Sequence, residues 1–216
     1  MVFEEDTRAM VRLLGKIVVI NGPPAEKRRQ LMRGICELIG GGGVWARLGR
    51  TEEGETVTFA LKHQGGLSEQ QLIDFMKAQE HPDMTLVNGP LFAQYTERGS
   101  HLTRTDWQII SIEDYTKTEV PTLFEKANLG PAVLSLYPIE KEQTSGIIIF
   151  RKVGEDPFSA RESRIAHILL LRSQLAPSGS TRRRSRKSGL STVSENEYGV
   201  EPFVARFAPQ ADRRPT

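Results

Sequence analysis

Two pairs of short strands, each joined by a link of a few residues, constrain the fold of this chain most strongly. The first pair is VWARLGR and TVTFALKHQ, joined by TEEGE with Gly54 in the turn. The second pair is PAVLSLYPIE and SGIIIFRKVG, joined by the polar link KEQT. Links this short cannot make the crossover that parallel strands need, so each pair is expected to be an antiparallel hairpin.

Helices are expected before, between and after the hairpins. Two amphipathic segments, TRAMVRLLGKI and AEKRRQLMRGICELIG, precede the first hairpin, and the second of them ends at the glycine run 40–43. Capping boxes begin further helices at Ser68, Ser111 and Ser159. A short helix is expected to start near Pro90, and HLTRTDWQII is expected to be a single strand.

The expected order of elements is therefore α-α-β-β-α-α-β-α-α-β-β-α. Strands that come as hairpins, with helices packed on them, indicate the α+β class. We expect a central antiparallel sheet of about five to six strands.

The character of the sequence changes beyond Leu175. Residues 176–216 are rich in Ser, Arg, Pro and Gly and show no sustained hydrophobic period, which is typical of a disordered segment. Eight of the 29 basic residues and four of the 27 acidic residues lie there, so residues 1–175 carry 21 basic and 23 acidic ones. We expect a folded domain over 1–175, whose charge does not favour nucleic acid, and a basic tail over 176–216.

Composition also narrows the setting in which the chain works. It has no run of about 18 apolar residues, and acidic residues stand near the N-terminus where a signal peptide needs basic ones. We therefore expect a cytoplasmic protein without membrane contact. Cys36 is the single cysteine, which excludes an intrachain disulfide and paired-thiol redox chemistry.

The C-terminal part of the folded region carries a resemblance to a known family. LSLYPIEKEQTSGIIIFRKVGEDPFSARESRIAHILL is similar to the last hairpin and helix of the sensor region in LuxR-type transcriptional regulators, including a Pro157–Phe158 step and a helix with Arg161 and Glu162. TRTDWQII and ANLGPAVLSLYP resemble the middle of such a region. The order of elements over about residues 5–175 resembles a GAF domain, a relative of PAS domains.

This resemblance implies a ligand-binding or signal-sensing module rather than an enzyme, and it implies no cofactor. In the family a helix-turn-helix domain follows the sensor region, but the 41 residues after Leu175 offer neither the length nor the periodicity for one. DNA binding is therefore not carried over. Either the output domain has been lost, or the chain is truncated or frameshifted after the sensor region.

The resemblance places a small-molecule pocket between one face of the sheet and the helices of the central segment. Ten residues, mostly aromatic or aliphatic, are candidates for its lining: Trp45, Arg47, Phe59, Leu61, Phe92, Trp107, Tyr115, Leu134, Leu136 and Ile148. The alternative for each aromatic residue is that it fills the core. If Arg47 points inward, it needs a partner such as a bound carboxylate or phosphate; otherwise it is solvated or salt-bridged.

Other chemistries find little support in the sequence. His63, His81, His101 and His167 lie far apart, without H-x-x-x-H spacing and on different expected elements, so no metal site is expected. His63, at a strand end, is expected to be exposed, and Cys36 is expected to be a small buried or half-buried residue. The sequence contains no P-loop, nucleophile elbow or H-E-x-x-H pattern.

Two further interactions are expected. Homodimerisation through the apolar stripes of the terminal helices, about residues 7–39 and 159–174, fits the sequence pattern. A cluster of five cationic residues in the tail is a candidate for contacts with nucleic-acid phosphates: Arg182, Arg183, Arg184, Arg186 and Lys187. If the cluster binds nucleic acid, the chain is a nucleic-acid-associated protein, which is the alternative hypothesis for its function. Otherwise the cluster is part of a solvated, disordered tail.

Overall fold

A computed structural model of the chain describes residues 2–50, 57–140 and 143–173. In chain order the elements are α1 (Glu4–Val18), α2 (Pro24–Ile39), β1 (Gly42–Arg50), β2 (Val57–Gly65), α3 (Glu69–Gln79), α4 (Met84–Arg98), β3 (Leu102–Thr105), a 3-10 turn (Asp106–Gln108), α5 (Ile112–Thr116), α6 (Val120–Lys126), β4 (Ala132–Glu140), β5 (Gln143–Phe150) and α7 (Ala160–Ser173). The predicted order of helices and strands is confirmed.

The five described strands form one antiparallel sheet in the order β2-β1-β5-β4-β3. The predicted α+β class is thereby confirmed. Both hairpins are present, and β1 of the first pairs with β5 of the second in the centre of the sheet. This pairing joins the two ends of the folded region.

Helices cover both faces of the sheet. On one face, here called the central-helix face, side chains of Val44, Ala46 and Leu48 pack with those of α3, α4 and α6. On the opposite face, here called the terminal-helix face, side chains of Trp45 and Ile147 pack with those of α1, α2 and α7. Because successive strand residues point to opposite faces, neighbours in β1 belong to different cores.

Capping boxes begin α3 and α7 as the sequence predicts. The backbone N–H of Gln71 donates to Ser68 Oγ at 3.2 Å, and that of Ser68 donates to Gln71 Oε1 at 3.1 Å. At α7 the N–H of Glu162 donates to Ser159 Oγ at 3.3 Å, with the reciprocal bond to Glu162 Oε2 at 2.8 Å. Local sequence thus fixes where these helices start.

The glycine run 40–43 does more than end α2. Strand β1 already begins at Gly42, and a Cβ atom on Gly43 would lie 2.1 Å from the carbonyl oxygen of Ile148 on β5. Side chains at this position would therefore force the central strands apart.

Two predicted elements have different bounds in the structure. Helix α4 begins at Met84, six residues before Pro90, because Met84, Val87 and Leu91 bury a continuous apolar stripe. Strand β3 ends at Thr105, well before the predicted end at residue 110. The chain turns there because Asp106 Oδ2 accepts from the N–H of Ala132 on β4 at 3.0 Å.

Within the described ranges, no helix combines the length and the apolar character that a membrane crossing requires.

Candidate functional site

A small cavity lies between helices α3 and α4 and the central-helix face of the sheet. Its volume is about 50 Å³. Twelve residues from α3, α4 and three strands line it: Val44, Leu48, Phe75, Gln79, Asn88, Leu91, Phe92, Leu134, Leu136, Gly146, Ile147 and Ile148. None of these twelve residues is charged, so the cavity suits a neutral, largely apolar group.

Gly146, at the centre of the sheet, forms part of the cavity wall. Ala46 on β1 and Gly146 on β5 are directly opposite each other, and Leu136 on β4 is opposite Gly146 on its other side. A Cβ atom on Gly146 would lie 3.0 Å from Leu48 Cδ1 and 3.3 Å from Leu136 Cδ2. The two leucines therefore lean over the space that a side chain at position 146 would fill.

Gln79, in the last turn of α3, is the polar group that distinguishes the cavity from ordinary core. The residue is only 6% exposed, and among the described residues its side-chain amide has no hydrogen-bond partner. The amide atoms keep a small contact with solvent, so they offer a donor and an acceptor to a group bound in the cavity. Asn88 on α4 brings a second carboxamide to the cavity, from a half-buried position.

Helix α4 contains a break in its hydrogen bonding next to this cavity. Pro90 lies inside the helix, between Asn88 and the lining residues Leu91 and Phe92. Proline has no N–H, so the carbonyl one turn earlier loses its helical partner. The wall formed by α4 is consequently easier to deform than an unbroken helix.

Four of the ten residues predicted to line a pocket do lie around this cavity: Phe92, Leu134, Leu136 and Ile148. The other six lie elsewhere or outside the described side chains.

Trp45 and Arg47 lie on the opposite side of the sheet from the cavity. Trp45 is buried in the terminal-helix core, where its indole Nε1–H donates to Ser145 Oγ at 2.6 Å. Arg47 is exposed. The strand alternation that puts Val44 and Leu48 on the cavity side turns these two side chains away from it, so Arg47 needs no buried anion.

Trp107 and Tyr115 form an aromatic pair at the edge of the central-helix core. Their rings meet edge to face with centroids 5.9 Å apart. Trp107 is 39% exposed, while Tyr115 packs against the core, and this burial raises the pKa of its phenol. Neither residue lines the cavity.

The remaining candidates have no described side chains. Phe59 and Leu61 lie in β2, where their backbones pair with Leu48 and Ala46. The cationic cluster 182–187 lies outside the described residues.

A larger depression, of about 650 Å³, lies where α2, β2 and β5 end, and glycines and loop residues line it. Polar groups in its lining already have partners: Arg151 donates to the carbonyl oxygen of Ile39 at 3.1 Å and to Glu162 Oε1 at 2.5 Å. Asn128 Oδ1 accepts from the N–H of Val153 at 3.3 Å. We therefore regard the depression as a junction of loops rather than a binding site.

Several histidines have surroundings that sequence reasoning missed. His63 is 4% exposed, against the predicted exposed position, because its ring packs edge to face against Trp45 in the terminal-helix core. His101 and His167 stack on each other although 66 residues separate them. Their pairing has no local sequence signal, since it depends on how α7 docks on the sheet.

Among the described residues, no group of three or more His, Cys, Asp or Glu side chains is arranged to hold a metal ion. Cys36 is buried, as predicted, and burial raises the pKa of its thiol to about 12. Ser135 and His101 lie in contact, but both are buried, which denies a substrate access to this nucleophile and base pair.

The chain matches no protein-family model and no curated protein sequence. Among solved structures it is similar to the LBD domain of VqsR from Pseudomonas aeruginosa, with 16% identity and a TM-score of 0.45 over 80% of this chain and 92% of that one. It is similar to the GAF domain of a phosphoenolpyruvate-protein phosphotransferase from Coxiella burnetii, with 11% identity and a TM-score of 0.48 over 79% and 90%.

It is also similar to SdiA from Escherichia coli, with 13% identity and a TM-score of 0.49. That alignment covers 77% of this chain and 64% of SdiA. These structures thus include one GAF domain and two LuxR-type proteins. GAF domains and LuxR-type sensor regions are the two kinds of domain that the sequence resembles. Because all three TM-scores lie below 0.5, we base the function of this chain on its own side chains.

Proposed function

We propose that residues 1–175 form a non-enzymatic sensor module that binds a small, neutral, amphiphilic molecule in the cavity between α3, α4 and the sheet. The observation that carries this proposal is the Gln79 side chain, which is buried and lacks a hydrogen-bond partner among the described residues. A ligand with a hydroxyl, ester or amide group forms hydrogen bonds to this carboxamide in place of solvent. Its apolar part lies against the aliphatic lining.

The size of the cavity sets the mechanism of this sensor. A volume of about 50 Å³ holds only a few atoms, whereas pockets for drug-sized ligands hold about 300–1,000 Å³. A longer ligand therefore requires α4 to move outward, and Pro90 makes that movement easier. Binding then favours a more open packing of helices on the sheet, which is a population shift.

Octanamide is a suitable probe because it combines an apolar chain with an uncharged amide. At ten times its dissociation constant it stabilises the folded protein by about 1.4 kcal/mol. This corresponds to a rise in melting temperature of about 3–6 °C. Octanoate, which has the same chain but a charge, is expected to give no rise, since the cavity lining contains no cation.

Gln79→Leu tests the role of the carboxamide, and Gln70→Leu is the matched control. Gln70 lies on the same helix but is exposed and bonds to Asp74 at 2.9 Å. We expect octanamide to stabilise the native protein and the Gln70 variant, and to lose most of its effect on the Gln79 variant. Equal stabilisation of all three proteins, or an equal response to octanoate, contradicts the proposed site.

Self-association through the terminal helices belongs to the same proposal. Val11 is 63% and Val18 is 73% exposed on α1, and nothing lies within 4 Å of a Cβ atom built on Gly15 between them. The helix starts with Glu4 and carries Lys16 in its last turn, so two antiparallel copies of α1 bring opposite charges together. Light scattering is expected to show a dimer that Val18→Glu dissociates; a strict monomer at high concentration contradicts it.

We infer further that the module works in the cytoplasm as the input part of a transcription regulator-like protein. The resemblance to LuxR-type sensor regions supports this setting. The alternative is a nucleic-acid-associated protein whose basic cluster at 182–187 binds phosphates. Anisotropy with a random DNA duplex separates the two, because removal of residues 176–216 abolishes binding only under the alternative.

A further inference from the structure

The rings of His101 and His167 stack face to face between the sheet and α7. His101 directly precedes β3, and His167 lies in the middle of α7. Their ring centroids are 4.0 Å apart and their planes differ by 13°. His101 is only 7% exposed, so this contact forms part of the buried surface that holds α7 on the edge of the sheet.

Two hydroxyl groups connect the rings in a hydrogen-bonded chain. His101 Nε2 lies 2.7 Å from Ser135 Oγ, Ser135 Oγ lies 2.9 Å from Thr103 Oγ1, and Thr103 Oγ1 lies 2.9 Å from His167 Nδ1. His101 Nδ1 is buried and has no hydrogen-bond partner among the residues that the structure describes. A buried N–H without an acceptor costs more than a bare nitrogen, so we place the proton of His101 on Nε2.

This assignment fixes the direction of every bond in the chain. His101 Nε2–H donates to Ser135, the Ser135 hydroxyl donates to Thr103, and the Thr103 hydroxyl donates to His167 Nδ1. Each hydroxyl donates once, Thr103 Oγ1 also lies 3.4 Å from the His101 Nε2–H, and both imidazoles are neutral. A proton on His167 Nδ1 leaves the Thr103 hydroxyl without its acceptor. A proton on His101 Nδ1 creates a buried charged donor with no acceptor.

The charges around the pair also oppose protonation. Arg98 at the end of α4, Arg104 in β3 and Arg164 on α7 all act on His167, and Arg98 also acts on His101. On the β4 side, the uncharged ring of Tyr137 contacts His101 edge to face at 6.0 Å. Burial, followed by His167 and then Arg98, lowers the pKa of His101 to about 4. Burial, followed by the three arginines, lowers the pKa of His167.

We propose that the stacked pair of His101 and His167 is a pH-sensitive latch, which holds α7 on the sheet while both rings are neutral and favours the opening of α7 on acidification. The latch acts on the helix that leads into the C-terminal segment. The latch is separate from the cavity between α3 and α4, because it lies on the terminal-helix face. An experiment can therefore contradict the latch without contradicting the proposed ligand site, and the reverse also holds.

The direction of the pH effect follows from the two states of His101. In the opened state the ring is solvated and takes up a proton below its ordinary pKa of 6.5, whereas in the closed state it stays neutral down to about pH 4. The opened state therefore gains population as the pH falls from 6.5 towards 4. For these two pKa values, the ratio of opened to closed α7 rises about 30-fold between pH 7.5 and 5.0.

Hydrogen–deuterium exchange of the full chain, followed by mass spectrometry, measures this ratio. Protection factors are compared at pH 7.5 and 5.0 after correction for intrinsic exchange rates. We expect protection of residues 160–173 to fall about 30-fold, and protection of α3 and α4 to fall much less. Unchanged protection of α7, or an equal loss in all helices, overturns the latch.

Two variants and one control connect the effect to these rings. His101→Gln keeps a donor near the position of Nε2, and His167→Asn keeps an acceptor near that of Nδ1, but neither replacement titrates in this range. His101→Gln is expected to remove most of the pH dependence, because the ratio of about 30-fold comes from His101. His167→Asn is expected to reduce it, since His167 contributes to the lowered pKa of His101, and it serves if the first variant does not fold. His81→Asn is the control, because His81 lies beside Asp83 and Glu119 rather than in the latch. A full 30-fold fall in both latch variants overturns the proposal.

Discussion

Asp6 and Arg161 form a two-point ion pair between the first and last described helices. Arg161 Nε donates to Asp6 Oδ2 at 2.8 Å, and Arg161 Nη2 donates to Asp6 Oδ1. Asp6 also accepts from the N–H of Phe3 at 2.9 Å. These bonds, the one from Arg161 first, lower the pKa of the Asp6 carboxyl. Residues 155 positions apart thus fasten α1 to α7.

Asp6→Asn is expected to lower the melting temperature by about 2–4 °C at pH 7 and low salt. The lowered pKa means that the carboxylate stabilises the fold above its unfolded pKa near 3.8, and that this contribution disappears as the pH falls below it. Differential scanning calorimetry at pH 7 and 3 measures both effects. Glu4→Gln is the control, because the Glu4–Arg8 pair is largely exposed and contributes little. Equal shifts in both variants contradict a special role for Asp6.

Gly146→Ala is expected to weaken octanamide binding at least about tenfold, because the new methyl group fills part of the cavity. A tenfold weaker affinity corresponds to about 1.4 kcal/mol of binding free energy. The new methyl group lies within 3.0 Å of Leu48 Cδ1, which can shift because it is the end of a side chain. The fold is therefore retained, and isothermal titration calorimetry measures the affinity. Gly22→Ala, where the nearest atom is 3.6 Å away, serves as the control. Unchanged affinity in the Gly146 variant means that octanamide binds elsewhere.

Arg151→Met is expected to reduce the free energy of unfolding by roughly 2–3 kcal/mol. Arg151 bonds to the carbonyl oxygens of Ile39 and Asp156 as well as to Glu162, so its loss leaves the part-buried acceptors of Ile39 and Glu162 unpaired. Urea titration followed by circular dichroism measures the change. Lys152→Met is the control, because Lys152 is the neighbouring residue and its side chain is exposed. A change below 0.5 kcal/mol at Arg151, the range of ordinary surface substitutions, contradicts the prediction.

Cys36 is expected to react with a water-soluble disulfide reagent about 1,000-fold more slowly in the folded protein than in urea at pH 8. Burial raises the pKa of its thiol to about 12, and the thiolate is the reactive form. Absorbance of the released thiol measures the rate. Cysteine ethyl ester under the same conditions gives the rate of a free thiol. Rapid reaction of the folded protein indicates that α2 opens locally.

Much of the fold is predictable because the signals for helix ends and hairpins are local. The capping boxes at Ser68 and Ser159 form as predicted, and the short links give antiparallel hairpins. The predicted start of α4 near Pro90 was wrong, because burial of an apolar stripe outweighs the cost of a proline inside the helix. Burial of that stripe depends on the sheet, and the stripe by itself does not reveal where the sheet lies.

The candidate site was less predictable, because both faces of the sheet are covered. In a sheet with one solvated face, alternation separates buried from exposed residues, but here Val44 and Trp45 are both buried. The alternation therefore does not reveal which residue faces α3 and α4. Gln79 also gave no signal in the sequence, because a glutamine near the end of a helix is usually solvated.

By itself, the sequence determined the order of the elements, the antiparallel hairpins and the start of α3 and α7, because each depends on residues a few positions apart. Only the tertiary structure decided that β1 pairs with β5, that Gly146 and Gln79 line one cavity, and that His101 meets His167. These contacts join residues that are distant in the chain. They form because helices dock on both faces of the sheet to bury apolar surface, and this docking brings together polar side chains that carry no local signal of their meeting.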